Sequence, residues 1–121
     1  MAYLANQPAC DRVQHLIVGA LRAQTPMLIT AVNLGEVWYS IARRWSESAA
    51  DDTVAGLRRL GFQVRNPDWE LTREAARLKA RYRIAYADCF AAALARQLGA
   101  ELVTGDPEFR RLEEEVRIRW L

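Results

Sequence analysis

Three acidic residues open the chemical reading of this chain, because each stands where a helix is expected to start: Glu36, Asp88 and Asp106. Asn33-x-x-Glu36 has the spacing of a capping box. Asp88 begins an alanine-rich apolar segment, and Asp106 lies between E-L-V-T and Pro107. Each has an ordinary reading as part of a helix start, most plainly Asp106 at the N-cap with Pro107 and Glu108 behind it. Jointly they read differently. Two follow expected strands and the third begins the helix expected to pack on the sheet, so all three face one edge of one domain. Carboxylates gathered in this way destabilise a fold unless a cation neutralises them. A donor set made of oxygen alone favours a hard ion such as Mg²⁺ or Mn²⁺. Such an ion can activate water and stabilise the charge of a phosphodiester displacement. Capping and metal binding both remain open readings at this point.

The rest of the inventory narrows the chemistry toward those acids. His15 is the single histidine, so histidine-pair acid–base catalysis and histidine-rich metal sites are excluded. Ser40, Ser46 and Ser48 are the only serines, and none sits in a G-x-S-x-G elbow. No phosphate-cradling glycine motif occurs among the six glycines. Cys10 and Cys89 are too few for a disulfide framework or a zinc site, and both Cys89 and His15 are expected to be packing residues. The net charge of +2 does not by itself point to nucleic acid, although 17 basic residues include only one lysine, Lys79. Arginine presents a planar fork to phosphate and stacks on bases, and genomic base composition explains the bias equally well.

The elements that must position the acids are legible from apolar periodicity and from breakers. With 121 residues, 51% hydrophobic and 26% charged, the chain has the composition of one globular domain spanning 1–121. Helices are expected at 8–21, from Asn33 to Trp45, at 46–60, at 68–82, from Asp88 to Leu98, and as a short piece at 106–112. Short strands are expected at 27–30, 62–64, 101–104 and 116–118. Helices interspersed with short apolar strands imply an α/β sandwich around a mainly parallel sheet. In such sheets ligands collect beyond the carboxyl ends of the strands. No apolar run approaches the roughly 18 residues of a membrane span, and no secretory signal is visible. A reduced, cytoplasmic protein is the expectation.

The segments N-L-G-E-V-W-Y around Glu36, Y-A-D-C-F-A-A-A-L-A around Asp88 and L-V-T-G-D-P-E-F around Asp106 resemble the three later motifs of PIN-domain ribonucleases. Among these they are most similar to the VapC toxins of bacterial toxin–antitoxin pairs. The likeness covers nearly the whole chain, and the last motif is the most specific. It implies a three-layer α/β/α sandwich and a Mg²⁺- or Mn²⁺-dependent endoribonuclease in which Glu36, Asp88 and Asp106 hold the metal and serve the reaction. Asn33 and Thr104 become supporting residues behind those ligands. A VapB-type antitoxin, an RNA substrate and a homodimer are the implied partners.

The family ordinarily begins with a strand ending in an aspartate, and this first strand has no counterpart here. Residues 1–8 resemble instead the helix that follows it, and Asp11 lies too far along to substitute. Three explanations stand, a start codon placed too late, a truncated variant or a neighbouring chain filling the gap, and the first is the expectation. One acid fewer weakens metal binding without excluding activity, because Mg²⁺ can be held by one or two carboxylates with water and phosphate. The rival reading is a catalytically impaired PIN-like module that binds antitoxin or RNA without cleavage. Trp38, Trp45, Trp69, Tyr82, Tyr86 and Phe109 are expected mostly in packing. Tyr86, two residues before Asp88, is the aromatic expected at the rim of the site.

Overall fold

The computed structural model describes residue 14, residues 16–19 and 21–22, and residues 27–121. Residues 14, 16–19 and 21–22 are helical, in the helix expected at 8–21 and one residue past its expected end. The remainder of that helix, residues 1–8, Asp11 and His15 lie outside the described residues. From residue 27 onward the order is β1 (Leu28–Thr30), α1 (Ala31–Arg44), α2 (Glu47–Arg59), β2 (Gln63–Arg65), α3 (Trp69–Arg81) and α4 (Tyr86–Leu98). There follow β3 (Leu102–Thr104), a 3₁₀ helix (Pro107–Leu112) and β4 (Ile118–Trp120). The chain divides into two compact units, and Thr30–Asn33 group with Arg65–Leu121 rather than with the residues around them.

In the first unit, the core is Ile29, Val37, Ile41, Ala50, Leu57 and Phe62. Leu34, Val37, Trp38 and Ile41 recur at helical spacing, so α1 offers one apolar face to that core. Trp45 was expected to continue the stripe. It instead lies just past the end of α1, 42% exposed, with the Arg44 guanidinium 5.1 Å from its ring centre. Ser46 caps α2 by accepting from the Ala49 amide at 3.0 Å. The Trp38 indole N–H donates to Asp51 on α2 at 2.9 Å, fixing the two helices side by side. Gly61 takes a positive φ of 100° and lets the chain turn from α2 into β2. β2 pairs with β1, and the Gln63 amide donates to the Met27 carbonyl.

In the second unit, α3 and α4 pack together through Leu71, Ala75 and Leu78 on one side and the nearly all-buried face of α4 on the other. Small side chains at Ala87, Cys89, Ala92, Ala93 and Ala95 let α4 be enclosed on most sides. Gly99 ends it in the left-handed conformation. β3 and β4 are parallel, with Leu102 opposite Ile118, Val103 opposite Arg119 and Thr104 opposite Trp120. Their carboxyl ends therefore emerge at the same place. The last strand lies two residues later than the expected 116–118, because Val116 is buried as a core residue before the strand begins.

Charge also ties the second unit together. Glu115, its side chain 9% exposed, meets Arg77 at 3.0 Å and Arg96 at 2.8 Å, and accepts from the Tyr82 hydroxyl at 2.9 Å. Arg77 is shared with Glu74. These bonds clasp α3 and α4 to the segment that leads into β4. The Arg77 hydrogen bond holds the Glu115 and Glu74 carboxyls below their ordinary range, against the opposing effect of burial.

Candidate metal centre

Asp106 follows β3 and caps the 3₁₀ helix. Its Oδ1 accepts from the Glu108 amide at 2.9 Å, and Pro107 occupies the position where a missing N–H costs nothing. The Asp106 amide in turn donates to the Thr104 hydroxyl at 3.0 Å. Thr104, buried at the end of β3, thus sets the backbone that presents Asp106.

Asp88 was expected to begin α4. The helix starts two residues earlier, at Tyr86, with Ala85 as an N-cap that makes no side-chain bond. Asp88 therefore occupies the first turn without being the cap. Asn33 secures that turn from outside: its Nδ2 donates to the Ala87 carbonyl at 2.8 Å. The start of α1 explains why Asn33 is available. Thr30, not Asn33, caps α1; its hydroxyl accepts from the Asn33 amide at 3.0 Å and donates to the Asn33 side-chain oxygen. The cap expected at Asn33 is thus one turn earlier, at Thr30. Glu36 stands half-buried in α1, in the first unit.

The structure brings together Asp88, Asp106 and Glu108, with one carboxylate oxygen from each lying within 4.8 Å of the others. Asp88 and Asp106 are half-buried and Glu108 is exposed. Glu108 read in the sequence as a helix-start residue; the tight first turn that Asp106 and Pro107 impose also swings its carboxyl to the same place. Three carboxylates with no histidine or cysteine donor form a set suited to a hard divalent cation. Cys89, next to Asp88 in sequence, is fully buried, and desolvation pushes its thiol up. It is a packing residue rather than a soft ligand or nucleophile. Tyr86, the first residue of α4 and 43% exposed, packs its ring edge-on against Phe90 with centres 5.0 Å apart.

A profile of the PIN domain matches residues 1–115. The chain belongs to the PIN-domain family. Its short parallel strands and enclosing helices are the α/β architecture of that family. PIN domains are in general nucleases that work with a divalent metal, and the acids of this PIN domain supply the donor chemistry such an ion requires. No curated protein and no solved structure matched the chain. Among the described residues, no helix is long and apolar enough to cross a membrane.

Proposed function

We propose that this PIN domain is a Mg²⁺- or Mn²⁺-dependent endoribonuclease acting as the toxin of a VapC-type pair. The observation that carries the nuclease reading is the convergence of Asp88, Asp106 and Glu108 from two helix starts onto one spot. Asp88 and Asp106, both half-buried, would hold the ion, with the exposed Glu108 beside them. Asn33 holds the turn that carries Asp88, and Thr104 holds the loop that carries Asp106. When bound, a hard divalent ion supplies positive charge for the phosphoryl oxygens and lowers the pKa of water. Glu108, the exposed member of the cluster, would accept the proton of the attacking water where it is not engaged with the ion.

The toxin assignment is supported by the resemblance of the segments around Glu36, Asp88 and Asp106 to VapC proteins. It brings with it a VapB-type antitoxin, a homodimer and a cytoplasmic site of action. Glu36 enters through that resemblance. Cleavage of RNA by the 121-residue chain, with and without Mn²⁺, tests the proposal beside Asp106→Asn and Glu36→Gln. Metal-dependent cleavage lost in Asp106→Asn is the expected result. RNA binding without cleavage at any metal concentration would leave a binding module instead.

A further inference from the structure

Trp120 is the largest apolar side chain at the carboxyl ends of β3 and β4, and 40% of it is exposed. It is opposite Thr104 in the parallel register, and the next residue, Leu121, donates its amide to the Thr104 carbonyl at 3.0 Å. Thr104 is also the residue whose hydroxyl receives the Asp106 amide. Trp120 is therefore one residue removed, through backbone pairing, from the loop that carries an acid of the candidate centre. Its ring has a second neighbour. Arg110, on the 3₁₀ helix that starts with Asp106, places its guanidinium carbon 5.9 Å from the ring centre.

An indole that keeps this exposure is not packed as a core residue. One side carries a guanidinium, which stacks on aromatic planes and forks toward phosphate. The indole area that stays in solvent is a surface every nucleobase can stack on. Duplex RNA hides its bases in the stack, so only an unpaired base could use such a surface.

We infer that Trp120, backed by Arg110, is a stacking platform that seats an unpaired base of single-stranded RNA next to the acid cluster, with Arg110 contacting the adjoining phosphate. This rests on the ribonuclease reading above and adds the residues that seat the substrate. The platform is indifferent to base identity, because stacking uses a face that all bases share.

The test uses two probes of equal charge: a fluorescein-labelled 12-mer of riboadenosine and a 12-mer ribose-phosphate strand without bases. Binding to the full chain is followed by fluorescence anisotropy in Ca²⁺, which accepts oxygen ligands with less geometric demand than Mg²⁺. The wild type should prefer the strand with bases by about tenfold, the size of one aromatic–base stack. Trp120→Leu should lose that preference while still binding the baseless strand, and Trp120→Phe, which keeps an aromatic face, should retain most of it. Binding of the baseless strand by Trp120→Leu at wild-type strength shows that the variant is folded. A wild type that prefers the bases, with Trp120→Leu preferring them equally, overturns the platform and leaves the ribonuclease reading standing. A wild type that binds both strands equally also overturns it. A wild type that binds neither overturns the ribonuclease reading and the platform together.

Discussion

Asp106 is the residue at which capping and metal binding can be pulled apart, because asparagine and alanine remove different things. Its Oδ1 accepts the Glu108 amide at 2.9 Å, and an asparagine oxygen can accept the same bond. Asparagine and aspartate cap about equally well, so Asp106→Asn should melt close to the wild type without metal. Asp106→Ala deletes the acceptor and should cost about 1 kcal/mol, which for a chain of this length lowers the Tm by about 4 °C. Metal adds the second axis. An ion present at a hundred times its Kd stabilises a protein by about 2.7 kcal/mol, or about 10 °C on the same scale. The wild type should gain such a shift in Mn²⁺. Asp106→Asn, with one of three carboxylates neutralised, should gain little of it at the same concentration. The assay is thermal unfolding of the three proteins across a Mn²⁺ titration. An Asp106→Asn protein that gains the full wild-type shift would refute the metal centre. An Asp106→Asn protein that melts as low as Asp106→Ala in the absence of metal would refute the capping argument.

Other perturbations probe the supports of the site and the core beneath it. Asn33→Ala removes the bond to the Ala87 carbonyl and leaves the turn that carries Asp88 unsecured; a loss of about 1 kcal/mol in urea unfolding, with weakened Mn²⁺ binding, is expected. Leu78→Ala, at a fully buried position, should cost about 3 kcal/mol in the same assay. Glu115→Gln should cost about 2 kcal/mol, because Arg77 and Arg96 lose their shared charged acceptor. In the wild type, the Glu115 and Glu74 carboxyls titrate below their ordinary values. Their contribution is therefore complete above the unfolded-state pKa of about 4.3, declines as pH falls below it and is gone beneath the folded-state value. Urea midpoints measured from pH 7 down to pH 3 should fall over that acid window, and Glu115→Gln should fall less.

Much of the architecture was legible from residue order because its signals are local. Ser46 and Asp68 were placed at the starts of their helices, and both accept the amide three residues on. The helix expected to end at Leu98 does so, and the next residue, Gly99, adopts a left-handed conformation that a side chain would strain. What failed was the assignment of caps where two neighbours compete. Thr30 outcompeted Asn33 because a hydroxyl at a strand end can cap at once, and Asn33 was then free to reach Ala87, 54 positions away. A bond of that separation leaves no periodic trace. Asp88 read as a cap for a related reason: apolar periodicity begins at the first buried residue, whereas the helix began at Tyr86, before it. Trp120 was silent in the sequence because exposure at a strand end is decided by register, and the last strand lay two residues beyond its expected place.

The two readings with which the acids began turn out to be one geometry. A carboxylate has two oxygens and about four lone-pair sites, so Asp106 can satisfy the Glu108 amide with one oxygen and offer the other outward. The cap bond is what orients that second oxygen, since the amide it uses belongs to the residue whose own carboxyl joins the cluster. Asp88 adds a carboxylate from the first turn of α4, where unsatisfied amides and the helix dipole favour negative charge. Helix starts thus offset part of the repulsion that gathering three acids creates, and a divalent ion would offset more. Neutralising one acid should accordingly do two things: weaken the ion's hold and relieve crowding when the ion is absent. The sign of the stability change in Asp106→Asn should therefore depend on Mn²⁺, near zero or positive without it and negative with it relative to wild type. A cap that served the helix alone would give the same sign in both conditions.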